Sequence, residues 1–418
     1  MMNPGSRINQ YLEKALGSRP FRWSVSLICL IFIAIESGQE RNDLDIFMEA
    51  SRSLFAGNDI YAERYFGIYH YFYSVFFATL LYPLTLLPIY WARFLWLTGG
   101  VVVMVRMFSL LLRLMPEQDM KKAGRGLVVF LLVLFSLRFL RSNLHLGQVN
   151  HWIMWLSVEA MFLIWTGRKF WGGAILALAI NIKLLPVVFI PYLFYRSEFR
   201  ASLFSVICLL LLYVAPVAWI GQDRNTQLLS SYWVRINPMQ DRHLFDHEET
   251  SFHSLTTLIS TFFVEDVREH NGLDVRRHIV GVSEDRLPMV INGVRLVFVL
   301  LTLWFLHTRP FVQIDDNKHR LYEMTYLLLA ASLIFPHQQH YAFITLCPAI
   351  LWLIVAYRNT GRPVMFLVLL CMIYLALNLG MLAGGLNPWL NHFKVLTWAS
   401  LLVVLLLIRY HPFRLNPE

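Results

Sequence analysis

Long apolar runs, separated by short polar breaks, dominate the chain. Runs near spanning length fall at roughly 23–38, 70–88, 91–113, 127–140, 149–166, 170–195, 200–220, 290–308, 321–336, 341–357, 363–383 and 394–409. A helix that crosses a bilayer needs about 20 mostly apolar residues, so the shorter runs must tilt or borrow flanking residues. The runs are too long and continuous for barrel strands. The pattern predicts an all-α polytopic membrane protein with about 12 transmembrane helices. No fixed-period repeat is visible, and the two halves show no matched broken helices.

The basic loops predict an orientation. Arg7, Lys14, Arg19 and Arg22 precede the first run, which places residues 1–22 in the cytoplasm. By alternation Arg196 and Arg200, Arg309 with Lys318 and Arg320, Arg358 and Arg362, and Arg409 with Arg414 fall on the same inner side, as does the C-terminus. Lys121, Lys122 and Arg125 violate this scheme, as do Arg168 and Lys169; a re-entrant pair within 90–195 would be the alternative. Two outer loops, 39–69 and about 221–289, are too long for mere connectors, and the second has a helical pattern around 252–264. The chain therefore divides into an N-terminal segment 1–22, a transmembrane module 23–220 carrying the loop 39–69, a long loop 221–289 and C-terminal helices 290–418.

Composition narrows the class. Of the 418 residues, 57% are hydrophobic and only 15% charged, and the mean hydropathy is +0.52. A soluble domain, a disordered chain and a disulfide scaffold do not fit these values. The net charge of +9 needs no nucleic acid, because Lys and Arg gather in inner loops of membrane proteins. All 4 cysteines lie in apolar runs without metal-ligand spacing and read as small core residues. No cleavage site follows a short apolar core near Met1–Arg22, so the first helix is expected to be retained in a cell (inner) membrane.

Four polar features could carry chemistry. Asp43 and Asp45 stand two apart just outside the first helix, where they could hold a divalent metal or supply a general base; by spacing alone a plain solvated loop that ends the helix is the preferred reading, because D-x-D is a weak pattern. Nucleotide sugars, which use such a pair with a metal, are cytosolic, so the base role is preferred to the metal role. Lys183 lies well inside an apolar run, where a cation is costly and marks a functional site by default. The rival for Lys183 is snorkelling, or a pairing with Glu159. His145, Gly147, Gln148, Asn150 and His151 form a polar break, either an interfacial turn or the lining of a cavity. His337 and His340 form a second break; with no third ligand near, that spacing argues against zinc.

These pieces together resemble family 87 of the glycosyltransferases, the polyprenol-phosphate-mannose-dependent mannosyltransferases of the GT-C superfamily. The segment Asp43-Leu44-Asp45-Ile46-Phe47, followed by Ala50-Ser51 and Leu54 to Tyr61, is similar to the family's opening loop. Gly147-Gln148-Val149-Asn150 looks like its G-Q-x-N, Ile182 to Pro186 like its K-x-x-P, and Ser332 to Tyr341 like its S-P-x-x-x-x-H, with His340 on the histidine. The chain departs from the family's Tyr-Pro-Pro at Tyr71 to Ser74, and Phe252-His253-Ser254-Leu255 stands where the family has Asn-Gln-Ser-Leu.

The resemblance implies a GT-C-like membrane enzyme. It would move a sugar, mannose in the family, from a polyprenyl-phosphate donor to a lipid or glycan acceptor outside the cytoplasm. It places the catalytic aspartate on Asp43 and pocket residues on Lys183, His340, Gln148, Asn150 and His253, with Asp45 and His337 as secondary candidates. One inverting displacement needs a single base and cations for the departing phosphate. No cofactor is required by that scheme. The rival classes are a transporter or flippase of a lipid-linked sugar, and a structural membrane subunit.

Overall fold

The computed structural model describes residues 4–39, 42–237, 251–264, 273–307, 309–336, 338–361 and 363–412. Every regular element among them is helical. The first half contains α1 (Pro4–Gly17), α2 (Arg19–Ser37), α3 (Asp43–Ala56), α4 (Val75–Thr85), α5 (Ile89–Leu114), α6 (Glu117–Ala123), α7 (Arg125–His145), α8 (Asn150–Trp165), α9 (Lys169–Ile182) and α10 (Phe189–Tyr195). The second contains α11 (Phe199–Val214), α12 (Val217–Ile220), α13 (Gln222–Ile236), α14 (Leu255–Phe263), α15 (Leu287–Leu306), α16 (Asn317–Ile334), α17 (Cys347–Asn359), α18 (Val364–Leu382), α19 (Asn387–His392) and α20 (Val395–Arg409). A 3-10 turn, His340–Leu346, leads into α17.

Seven helices among the described residues are long and apolar enough to cross a membrane, or eight if the bent pair ending at Arg409 counts as one span. The expected figure of about twelve is not reached by length and composition. Most of the runs that do qualify lie within a few residues of their expected positions. The shortfall has three sources: 70–88 and 170–195 give only short or broken helices, α8 stops at 16 residues, and α16 is 18 residues long but carries Lys318, Arg320 and Glu323. The run 70–88 yields only α4, 11 residues with Pro83 inside it. At 1.5 Å per residue such a helix spans about 16 Å, half a bilayer core. Instead of crossing, α4 lies along α3. Phe47 meets Tyr73 and Phe77 edge-on, Phe55 meets Tyr82, and Arg52 donates to Thr85 O.

Removing that crossing reorders the charges. Lys121, Lys122 and Arg125 now fall at the same end of the bundle as α1, whose Asn9 side chain accepts from Leu127 N–H. At this end Lys318 pairs with Asp119 at 3.0 Å and Arg358 donates to Ala123 O. Arg168 and Lys169 belong here too, for Lys169 pairs with Glu198 and Arg320 lies over the Trp165 ring. The residues that violated the charge scheme are therefore gathered at the end opposite Asp43.

The run 170–195 breaks at Lys183. Lys183 caps α9 in an extended conformation, and Leu185–Val188 forms a 3-10 turn with Pro186 near its start. Before these breaks α9 packs tightly on α8: a Cβ on Gly172 would lie 2.8 Å from Ala160 O and 3.0 Å from Ile164 N. Only a residue without a side chain allows that approach. The deepest part of the bundle is the His340–Asn359 span, which is buried along most of its length, whereas Arg19–Ser37 and Phe199–Ile220 turn most of theirs outward. The long loop 221–289 contains α13 and α14, the latter where the helical pattern around 252–264 predicts one.

Candidate active site

The site is built where α3 begins. Asn42 caps α3, accepting from Asp45 N–H at 3.3 Å, while Asp45 Oδ2 accepts from Asn42 N–H at 3.0 Å. This reciprocal capping box satisfies two otherwise orphaned donors. Asp45 is buried, and its carboxylate is also gripped by Arg93, Nε to Oδ1 at 3.0 Å and NH2 to Oδ2 at 2.6 Å. Both Asp45 oxygens are thus spent on holding the helix start. The reading of Asp43 and Asp45 as a shared metal pair loses its second ligand by this arrangement.

Asp43 is placed by a different contact. Its N–H donates to Leu146 O at 2.9 Å, so the start of α3 sits on the loop between α7 and α8. That loop needs Gly147, whose φ is 60° and whose Cβ would lie 3.0 Å from Asn42 Oδ1 and 3.2 Å from Leu44 Cβ. Trp96 Nε1 donates to Gly147 O at 3.0 Å and fixes the turn from the other side. The polar break at 145–151 is therefore the seat of the Asp43 helix rather than a free interfacial turn.

From Asp43 a line of side chains runs to Lys183. Gln148 Nε2 donates to Asp43 Oδ2. Asn150 Nδ2 donates to Gln148 Oε1 at 3.0 Å, and Lys183 Nζ donates to Asn150 Oδ1 at 2.9 Å. Lys183 also donates to Gln338 Oε1 at 3.3 Å. An ammonium can only donate and a carboxylate can only accept, so the two charged ends dictate which way each amide points. Among the described residues no carboxylate lies within ion-pair distance of Lys183. The pairing with Glu159 does not form. Glu159 is held by Arg106 at 2.7 and 2.8 Å and by Trp155.

Asp43 lies outside the candidate spans and is half-buried. Burial first, and the nearby Asp45 carboxylate second, push its carboxyl up to about 7. Its Oδ1 carries no hydrogen bond among the described residues. A carboxyl with one oxygen held, one free, and a proton affinity near neutrality can take a proton from a hydroxyl. Tyr73 lies beside it: burial, the Tyr341 hydroxyl and the Asp43 charge all raise the Tyr73 phenol.

His340 sits on the strap, residues 338–346, that carries Gln338. His340 Nε2 is 3.1 Å from Ser142 Oγ, and Asn143 Nδ2 donates to Tyr341 O at 2.9 Å. The backbone N–H of buried His253 donates to Gln338 O at 2.8 Å, which joins the long loop to the strap. Asp43, Gln148, Asn150 and Lys183 therefore form one network, with His340 and His253 joined to its far end through Gln338. His337 lies outside the described residues.

Gln338 and Arg93 were missed by the sequence reading. Arg93 is only the third residue of its run, where a cation can snorkel to the interface, so the rule that singles out Lys183 gives it no comparable signal. Gln338, a neutral amide beside two histidines, carries no such signal.

No curated protein matches the chain. Residues 71–336 match the model of glycosyltransferase family 87. Gln148, Asn150, Lys183 and His253 fall inside that stretch, Asp43 lies before it and His340 just beyond it. The match covers more than half of a chain of membrane-spanning helices, and the protein belongs to glycosyltransferase family 87 as a membrane glycosyltransferase.

Proposed function

We propose that the protein transfers a sugar, mannose by the family resemblance, from a polyprenyl-phosphate donor to an acceptor hydroxyl at the outer membrane face. The reading is supported most by one observation: the raised, half-buried Asp43 carboxyl is linked through two amides to an ammonium that has no carboxylate partner among the described residues. Asp43 Oδ1 takes the acceptor proton as the acceptor oxygen attacks the anomeric carbon. The bond from that carbon to the phosphate oxygen breaks, and the polyprenyl phosphate leaves as an anion. Lys183 stabilises the charge that develops on it. One displacement inverts the anomeric configuration, and no second carboxylate takes part. Asp45 acts as a structural residue.

Orientation follows the clustered charges. Arg7, Lys14, Lys121, Lys122, Arg125, Arg168, Lys318 and Arg358 share the end of the bundle that the positive-inside rule assigns to the cytoplasm. Asp43 then faces outward, where nucleotide sugars are absent and a lipid-borne donor is needed. The helical frame is read as GT-C-like, with both termini inside a cell membrane. A transporter or flippase explains the helices, but membership of a glycosyltransferase family favours the enzyme.

The test is transfer by purified protein in nanodiscs. Synthetic polyprenyl phosphate mannose and a panel of acceptor lipids and glycosides should yield a product of inverted configuration by NMR. Movement of donor across liposomes without any transferred sugar would end this reading.

A further inference from the structure

Tyr73 is held at its ring and its backbone, while its hydroxyl is left unengaged. Phe47 lies one helical turn on from Asp43, on the same face of α3. Its ring meets that of Tyr73 at 4.8 Å, and Tyr71 and Phe77 meet Tyr73 at 5.7 and 5.6 Å. Tyr61 Oη donates to Tyr73 O at 2.8 Å. The next residue, Ser74, caps α4 by accepting from Phe77 N–H and donates to Asn181 Oδ1 at 2.7 Å, two residues before Lys183. Tyr71 Oη donates to Ser74 O at 3.0 Å. These ties fix Tyr73 to α3 and to the end of α9, the two elements that carry Asp43 and Lys183.

Tyr61, Tyr65 and Tyr71 each spend their hydroxyl on a backbone carbonyl. Tyr73 is half-buried, and its hydroxyl makes no hydrogen bond among the described residues. Burial, then the Tyr341 hydroxyl and the Asp43 charge, raise this phenol, so it stands near the proposed base. Tyr71 to Ser74 is also where the chain departs from the family's Tyr-Pro-Pro, and the resemblance assigns Tyr73 no role. A phenol can both donate and accept. Beside a base that takes one acceptor hydroxyl, it suits a second hydroxyl on the same molecule. A simple lipid alcohol has only the hydroxyl that Asp43 takes and leaves the phenol without a partner. A site built to hydrogen-bond a hydroxyl discriminates against a ligand that lacks it.

We propose that Tyr73 binds the acceptor and that the acceptor is a sugar ring, which offers one hydroxyl to Asp43 and a neighbouring hydroxyl to Tyr73. The inference rests on the proposed sugar transfer and deepens it, narrowing the acceptor to a glycoside. Tyr73 takes no part in proton transfer: the acceptor proton still goes to Asp43 Oδ1, and the departing phosphate is still met by Lys183. One rival is that Tyr73 only packs α4 on α3. Another is that its phenol meets the donor sugar.

The test uses the full chain in nanodiscs and compares wild type with Tyr73→Phe, which keeps the ring and its packing. The probes are the octyl glycosides of mannose, glucose and galactose, below their micelle-forming concentrations, and the monodeoxy derivatives of whichever binds best. Calorimetric binding of that glycoside should weaken by about three- to tenfold in Tyr73→Phe, the net worth of one hydrogen bond. One monodeoxy derivative should bind both proteins alike, because the hydroxyl that Tyr73 meets is already gone. Wild type that binds none of the three glycosides overturns the proposal, as do losses that add for every derivative. Unchanged glycoside binding by Tyr73→Phe also overturns it: with a lowered melting temperature Tyr73 is a packing residue, and with weakened binding of citronellyl phosphate mannose it belongs to the donor. Binding is read without turnover, so wild type that shows the Tyr73-dependent pattern yet transfers no sugar removes the proposed function and leaves the glycoside site standing.

Discussion

Asp43 and Lys183 stand at the two ends of one line of side-chain hydrogen bonds, joined by the amides of Gln148 and Asn150. The polarity of that line is fixed by its ends, so each amide is held in one orientation. A hydrogen-bond chain of this kind polarises along its length, and a change at one end is felt at the other. The base and the cation of the proposed reaction are thereby held in register by groups that do not themselves react.

Asp43→Asn keeps the shape of the side chain and removes the proton acceptor. Turnover is expected to fall by about 10²–10⁴, the usual share of general base catalysis. Circular dichroism and melting should be nearly unchanged. Full activity in this variant would reassign the base.

Asp45→Asn should act through stability instead. It leaves the buried Arg93 guanidinium without its carboxylate, a change that typically costs about 3–5 kcal/mol. A lowered melting temperature, with near-normal transfer by the molecules that remain folded, is the expected outcome. A loss of turnover at unchanged stability would move the chemistry to Asp45.

The pH profile should carry the Asp43 signature. Its carboxyl titrates near 3.8 when unperturbed and near 7 in the fold. Only the ionised form accepts a proton, so kcat/KM should rise with pH and reach half its plateau near pH 7. Between these two values the folded protein keeps a proton that the unfolded chain has released, so this group lowers stability as pH rises from about 4 to about 7. Gln148→Met removes a donor to the ionised form and should move the kinetic limb to higher pH. A limb that stays in place would show that Gln148 does not tune Asp43.

Lys183→Met deletes a buried charge that has no carboxylate partner among the described residues. Melting in detergent should be unchanged or higher, while transfer or donor affinity falls. A destabilised protein with normal transfer would remove Lys183 from the site.

Cysteine labelling checks the arrangement of the helices. Positions 43, 73 and 85 should react from one side of the membrane, and positions 121, 168, 318 and 358 from the other. Labelling of 73 and 85 from opposite sides would restore the crossing at 70–88.

The sequence by itself determined the class of the protein and most of its frame. Helical apolar runs must satisfy their own backbone in lipid, so their positions are written locally and are legible one run at a time. The same local logic made Lys183 stand out, and the motifs around Asp43 and Gln148 pointed to the family. Tertiary structure alone decided which runs cross and what each polar residue does. Whether 70–88 is a span depended on α4 packing along α3, which also returned Lys121 and Arg168 to the basic end. Asp43 and Asp45 are alike in sequence and two residues apart; one meets Gln148, 105 residues away, and the other meets Arg93, 48 away. Such partners are chosen by the packing of distant helices, and no local pattern encodes them.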